Sequence, residues 1–167
     1  MTKTDDNLKA AFAGESQANR MYLAFAKVAQ EEGFPQIAKL FKAAAEAETV
    51  HAHNHLRVLG QVKTTADNLS TAVSGETYEF TKMYPQMIED AKAEGNKKAV
   101  QSFDYANKVE AIHADLYKKA IESVKTKKDL PAAQITVCPV CGNTFEGNEP
   151  DVCPICGTPK AKFLKIE

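Results

Sequence analysis

Glu48 and His51 stand three residues apart, and so do Glu110 and His113. Side chains at i and i+3 lie on one face of a helix, so each carboxylate and imidazole converge on one point. Carboxylate and imidazole together suit a transition metal. Two more glutamates, Glu15 and Glu76, fall at positions of their own segments where a core leucine would be usual. A buried carboxylate is costly unless it is paired or bound to a cation, and four near one depth require a cation. One Glu from each of two helices plus Glu-x-x-His from each of two others is the ligand pattern of a dinuclear metal site inside a helical bundle. Exposed Glu-x-x-His pairs on a solvated helix are the alternative, but they leave Glu15 and Glu76 unexplained.

Glu79 lies three residues after Glu76, with Phe80 and Met83 beside it, and is expected as a seventh ligand. His53 points about 200° away from His51 and is expected in solvent. His55, one turn beyond His51, is expected in the core or behind the ligands. Tyr22 and Tyr84 fall on or near the same stripes, either as ordinary core aromatics or as phenols that hydrogen-bond to the carboxylates.

A second constellation closes the chain. Cys138-x2-Cys141 and Cys153-x2-Cys156 use all four cysteines, and Gly142 and Gly157 follow the second cysteine of each pair. Two such knuckles place four thiolates around one ion, and that geometry suits zinc or iron. A structural disulfide within Cys-x2-Cys is a poor alternative. Spacing does not choose between zinc and iron. The neighbouring dinuclear site favours iron, because a redox pair needs a one-electron supplier.

These side chains must be held by long helices. From Asp5 to Val124 the chain is rich in Ala, Glu, Lys, Gln and Leu. Helices are predicted over roughly 5–30, 35–59, 67–93 and 96–124, with Pro35 at a helix start. Core stripes at alternating spacings of three and four run through Leu8, Ala11, Glu15, Ala18, Tyr22, Phe25 and Ala29, then through Ile37, Phe41, Ala44, Glu48, His51, His55 and Val58. The last helix gives Ala99, Phe103, Ala106, Glu110, His113, Tyr117, Ala120 and Val124. The fold class is mainly α: a ferritin-like four-helix bundle with a small C-terminal metal-knuckle domain.

The helical part also repeats. Asp6-Asn7-Leu8 and Gly14-Glu15 match Asp67-Asn68-Leu69 and Gly75-Glu76, while Glu48-x-x-His51 matches Glu110-x-x-His113. The offset grows by one residue between Glu76 and Met83, which predicts a π-bulge there, and Pro85 predicts a kink in the same stretch. Domains are placed at 1–124 for the bundle, 125–134 for a polar linker and 135–167 for the cysteine domain.

Composition limits the partners. The 167 residues carry 21 Lys and Arg against 22 Asp and Glu, a formal net charge of −1, so the basic surplus of a nucleic-acid binder is missing. No apolar run is long enough for a bilayer. The N-terminus has no apolar h-region, so a cytoplasmic location is expected.

Taken together, Glu15-Ser16-Gln17-Ala18 with Tyr22, Glu48-x-x-His51, Glu76-x-x-Glu79 with Tyr84, Glu110-x-x-His113 and the two Cys-Pro-x-Cys-Gly knuckles resemble the rubrerythrin family over essentially the whole chain. The resemblance implies a non-haem di-iron peroxidase that reduces hydrogen peroxide to water. It implies two iron ions in the bundle and one in the four-cysteine site, with zinc as a substitute there. Electrons would come from NAD(P)H through a reductase or a rubredoxin. Glu48 and Glu110 would bridge the irons, Glu15 and Glu76 would be terminal ligands, and His113 would be fixed. His51 and Glu79 would exchange with oxidation state. A ferroxidase or an iron-storage protein is the alternative function. The short connection between helices 2 and 3 departs from the family pattern. It predicts a homodimer in which helices 1–2 of one chain complete a bundle with helices 3–4 of another.

Overall fold

A computed structural model describes residues 2–167. The helical part consists of α1 (Lys3–Glu31), α2 (Pro35–Val58), α3 (Thr65–Tyr78), a π-helical turn (Glu79–Met83), α4 (Tyr84–Ala93) and α5 (Lys97–Lys125). Because α3, the π turn and α4 run on without a break, there are four long helices among the described residues, as the periodicity predicts. The chain divides into two compact units, one ending at Lys63 and the other spanning Thr64–Glu167. Among the described residues no helix is long and apolar enough to cross a membrane.

The helix starts are written in the sequence. Thr2 caps α1 by accepting the Asp5 N–H, and the Asp5 carboxylate accepts the Thr2 N–H in return. Thr64 caps α3 by accepting the Asp67 N–H, and its hydroxyl donates to the Asp67 carboxylate. Pro35 occupies the first turn of α2, where its missing N–H has no cost. Asn96 caps α5 by accepting the Ala99 N–H.

In the first unit α1 and α2 form an antiparallel hairpin closed by alanines. Ala26 and Ala29 of α1 and Ala38, Ala45 and Ala52 of α2 are buried. Small side chains let the two backbones approach closely, and Asn19 crosses the seam by donating to the Ala45 carbonyl at 2.6 Å and the Thr49 hydroxyl at 2.8 Å. The larger stripe residues behave otherwise. Phe25, Ile37 and Val58 are 41%, 47% and 72% exposed. The stripe predicted as core is therefore a face that this hairpin alone does not cover.

In the second unit α5 packs against α3, the π turn and α4. The π turn falls within the stretch where the repeat offset changes, and the Tyr84 N–H reaches back five residues to the Glu79 carbonyl. The inserted residue is thus absorbed inside the helix instead of breaking it. Pro85 follows directly, in the first turn of α4.

The C-terminal segment forms a three-stranded antiparallel sheet, β1 (Ile135–Val137), β2 (Thr144–Glu146) and β3 (Leu164–Ile166), in the order β2-β1-β3. Phe145 and Phe163 stack at 4.9 Å with planes 10° apart. Strands this short cannot bury a core of their own, so the cysteines carry much of the fold. Val109 of α5, 2% exposed, lies against the turn at Gly142, and Lys119 pairs with Glu146 at 2.6 Å.

Candidate metal centres

The two cysteine knuckles are built alike. In each, the N–H of the glycine after the second cysteine donates to the first cysteine's carbonyl at 2.9 Å, from Gly142 to Cys138 and from Gly157 to Cys153. Both glycines have φ near +80°, at 81° and 77°, a conformation a side chain resists. The N–H groups of Cys138 and Cys153 donate outward to the carbonyls of Asn143 and Thr158, each at 2.8 Å. Four sulfurs converge within 4.8 Å, with Cys138 and Cys156 at 3.5 Å and Cys141 and Cys153 at 3.5 Å. Metal–sulfur bonds of about 2.3 Å in a tetrahedron set the sulfurs about 3.8 Å apart, so the donor set fits one ion.

The knuckles also favour thiolates. Burial alone would raise the Cys138 thiol, but the backbone N–H groups of Cys141 and Val140 and the side chains of Cys156 and Thr158 together bring it down to about 6. Cys153 is lowered by the same balance, with the N–H groups of Cys156 and Ile155 outweighing burial. Cys141 is pushed up, chiefly by burial. Some of the four sulfurs are thus prepared for the charged form and one resists it until a cation arrives.

Among the described residues the candidate helical ligands gather in two sets of three. Glu15 of α1 meets Glu48 and His51 of α2, and Glu76 of α3 meets Glu110 and His113 of α5; within each set the donor atoms lie within 4.8 Å. In both Glu-x-x-His pairs Nδ1 faces the carboxylate, His51 to Glu48 at 2.8 Å and His113 to Glu110 at 2.7 Å. His113 Nδ1 also lies 3.9 Å from Glu76. The glutamate side chains are well covered, with Glu48, Glu76 and Glu110 at 17–19% exposure, while His51 is 53% exposed.

Glu79 is outside the three-donor set, yet it belongs to the same electrostatic neighbourhood. Burial and the Glu110 charge raise its carboxyl, and His113 opposes them. Glu76 is raised to about 7 by burial, by the Glu110 charge and hydrogen bond, and by Glu79. Tyr84 is also raised, by burial and then by Glu79, Glu110 and Glu76. Glu76 and Glu79, both raised beside the Glu110 charge, mark a site short of positive charge, which metal ions would supply.

Tyr84 therefore lies beside the carboxylates. Tyr22 packs on Phe25 and Phe41, with centroids 6.3 and 6.2 Å away, as an aromatic of the hairpin. His53 is exposed and His55 half-buried, as their helical angles predict. Two features were not read from the sequence. The alanine seam has a seven-residue signal at Ala38, Ala45 and Ala52. The partner of His113 Nε2, the Thr144 hydroxyl at 2.9 Å, has no local signal, because 31 residues separate the two.

Comparison with known proteins agrees with this geometry. The family model described as rubrerythrin matches residues 6–121, and that described as rubrerythrin, rubredoxin-like domain, matches 137–164. Rubrerythrin-2 of Clostridium acetobutylicum is 39% identical, over 96% of this chain and 95% of its own. Nigerythrin of Nitratidesulfovibrio vulgaris is 37% identical, over 96% of this chain and 85% of its own. A solved structure of nigerythrin in a mixed-valence state aligns at a TM-score of 0.59 and 36% identity, covering 99% of this chain and 88% of that one. With helical ligand sets, thiolate knuckles and both family models in agreement, the chain belongs to the rubrerythrin family, di-iron proteins of oxidative-stress defence that carry a rubredoxin-like iron domain.

Proposed function

We propose that this chain is a non-haem di-iron peroxidase, in which hydrogen peroxide takes up two electrons and two protons and leaves as two waters. The observation that carries the proposal is the matched pair of three-donor sets, Glu15/Glu48/His51 and Glu76/Glu110/His113, on repeat-related hairpins. When bound, a pair of irons supplies one electron each, so peroxide is reduced without a one-electron oxygen species.

The chain's residues set the conditions. Glu48 and Glu110 would be shared between the metals, Glu15 and Glu76 would each serve one of them, and His113 would be a fixed ligand. His51, the more exposed imidazole, would exchange with Glu79. A neutral imidazole suits the reduced metal, and an anionic carboxylate suits the extra charge of the oxidised one. Tyr84, held above the ordinary phenol range, keeps its proton at Oη beside the carboxylates. It is placed to help supply a proton as water forms. Tyr22 lines the other hairpin as an aromatic wall.

Electrons enter through residues 135–167. Four thiolates around one iron make a one-electron carrier, reached from NAD(P)H through a reductase or a rubredoxin. Zinc would hold this domain together but carry no electron. Residues 1–124 form the di-iron part, 125–134 connect it to the carrier, and the protein works in the cytoplasm. Each half-site holds three donors, so the working centre takes both hairpins. We assign them to two chains of a homodimer, the first hairpin of one facing the second hairpin of the other.

Glu110→Ala tests the ligand assignment. A bridging carboxylate touches both metals, so peroxide turnover should fall by more than about a hundredfold, since changes one layer further out already cost 10–100-fold. The iron of the cysteine site should remain, with its thiolate-to-iron absorption unchanged. Turnover at the wild-type rate would end the proposal.

A further inference from the structure

The two Glu-x-x-His pairs are related by the repeat but not held alike. Among the described residues His51 hydrogen-bonds to Glu48 through Nδ1 and to no group through Nε2. His113 is held at both nitrogens: Nδ1 lies 2.7 Å from Glu110 Oε2, and Nε2 lies 2.9 Å from Thr144 Oγ1. Thr144 is not a mobile surface group. It is half-buried at the start of β2 and registers with Val137, the residue before Cys138. Its hydroxyl donates to the Gly142 carbonyl at 3.3 Å, directly after the second cysteine of the first knuckle.

The direction of this chain of bonds follows from donors and acceptors. The Thr144 proton is directed to the Gly142 carbonyl, so the hydroxyl oxygen is free to accept. Once a cation lies between Nδ1 and the Glu110 carboxylate, Nδ1 gives its lone pair to that cation, and Nε2 of His113 is then the protonated nitrogen. A neutral ring protonated there carries its lone pair on Nδ1, which points between Glu110 and Glu76. Ligating histidines are oriented by whatever their other nitrogen donates to, and that second bond also raises their basicity. Here the orienting group belongs to the cysteine domain of the same compact unit.

We propose that Thr144 is a positioning residue, whose hydroxyl accepts the Nε2–H of His113 and aims its Nδ1 lone pair at the metal between Glu76 and Glu110. The inference rests on the ligand assignment above and goes beyond it. It names the residue that makes His113 the fixed histidine and leaves His51, without such a partner, the exchangeable one. It also places a continuous hydrogen-bonded path from the helical site to the knuckle, through His113, Thr144 and Gly142, whose N–H returns to Cys138.

The test uses the full-length chain with Thr144→Val, which keeps the branched shape of a strand residue and removes the acceptor, and with Thr144→Ser, which restores it. Cobalt(II) is titrated into the helical site after the cysteine site has been filled with zinc. Thr144→Val should weaken cobalt binding by about 10–100-fold, and Thr144→Ser should bring it to within about threefold of wild type. In protein fully loaded with zinc and labelled with ¹⁵N-histidine, the His113 Nε2–H should be protected from exchange with water in wild type and Thr144→Ser. In Thr144→Val it should exchange rapidly. Equal cobalt affinity and equal protection in Thr144→Val would overturn the proposal. So would a loss that Thr144→Ser fails to repair, which would mark a packing role. His113→Ala keeps the two levels apart. If it binds cobalt like wild type, the ligand assignment falls and this proposal with it. If it binds weakly while Thr144→Val binds normally, only the role of Thr144 falls.

Discussion

The exchange of hairpins between two chains can be tested by mixing two dead proteins. A ferritin-like bundle sets its second and third helices parallel, so the connection must return along the bundle. From Glu48 to the end of α2 at Val58 is ten residues, and from the start of α3 at Thr65 to Glu76 is eleven. At 1.5 Å per residue these are about 15 and 17 Å, so glutamates at one depth require a return of about 32 Å. A lateral step of about 10 Å between helices makes the span about 33 Å. The connection Leu59–Thr64 gives seven links from Val58 to Thr65, reaching about 23–25 Å at full extension. The loop is shorter than the sequence-based estimate, which began the third helix at about residue 67. The shortfall is about 8–10 Å, which unwinding one residue at each end only just meets, and then only with the loop at full extension. Closure within one chain would therefore need frayed helix ends and a taut loop, whereas the proposed exchange between chains would need neither.

The perturbation is a pair of variants. Glu15→Ala damages the first hairpin and Glu110→Ala the second, so each homodimer has only damaged centres. In a mixed, exchanged dimer one bundle takes both damaged hairpins and the other takes both intact ones. Random reassociation at equal amounts makes half the dimers mixed, so about one quarter of all bundles should be intact. The assay is peroxide turnover and di-iron content after co-refolding, against the two variants refolded separately. About a quarter of wild-type activity is expected. Activity no higher than in the separate variants would refute the exchange. A companion variant with eight Gly and Ser residues inserted after Gln61 should allow closure within one chain and abolish complementation while retaining iron.

Cys138→Ser should stop turnover supported by an external donor, while the chemically reduced di-iron pair still reacts once with peroxide; sustained donor-supported turnover would show that the thiolate site is not the relay. His113→Ala should lose more helical iron than His51→Ala, by about tenfold or more in affinity, read by metal analysis after dialysis; equal losses would contradict the exchange between His51 and Glu79. The raised Glu76 makes a pH prediction. A carboxyl near 7 when folded and 4.5 when unfolded stabilises the metal-free fold fully below about 4.5, and that contribution is lost as pH rises through 7. The Tm of metal-free protein, relative to Glu76→Gln, should therefore fall between pH 5 and 8, and bound zinc should remove the fall. A Tm difference flat with pH would mean that the glutamates do not crowd one another.

Much of this was legible because the chemistry is local in sequence. Glu-x-x-His and Cys-x2-Cys fix their geometry within one turn or one knuckle, and the repeat tied Glu15 to Glu76 before any fold was known. The π turn was legible for the same reason, since one extra residue between matched markers must go somewhere. The helix seams were not. Stripes at spacings of three and four name a buried face without saying which layer buries it. In the α1–α2 hairpin Ala38, Ala45 and Ala52 make the first layer, and Phe25, Ile37 and Val58 remain for the next. Small residues carry little hydrophobic signal, yet they decide which helices approach most closely.

The repeat also misleads in one respect, and the physics shows why. Two copies of a hairpin predict two equivalent histidines, and the family pattern gives them different roles without a cause in the helices themselves. The difference lies in what each copy is attached to. The second hairpin runs on from α5 into the cysteine domain, and that domain puts Thr144 against His113 Nε2. The first hairpin ends in a short loop and, among the described residues, supplies no hydrogen-bond partner to His51 Nε2. On the proposed roles, freedom to leave the metal would follow from that missing second bond. An oxygen acceptor engineered opposite His51 Nε2 should then slow its replacement by Glu79. Redox cycling followed by the visible spectrum of the di-iron pair would measure this, and an unchanged rate would mean that the exchange is governed by the metal's charge alone.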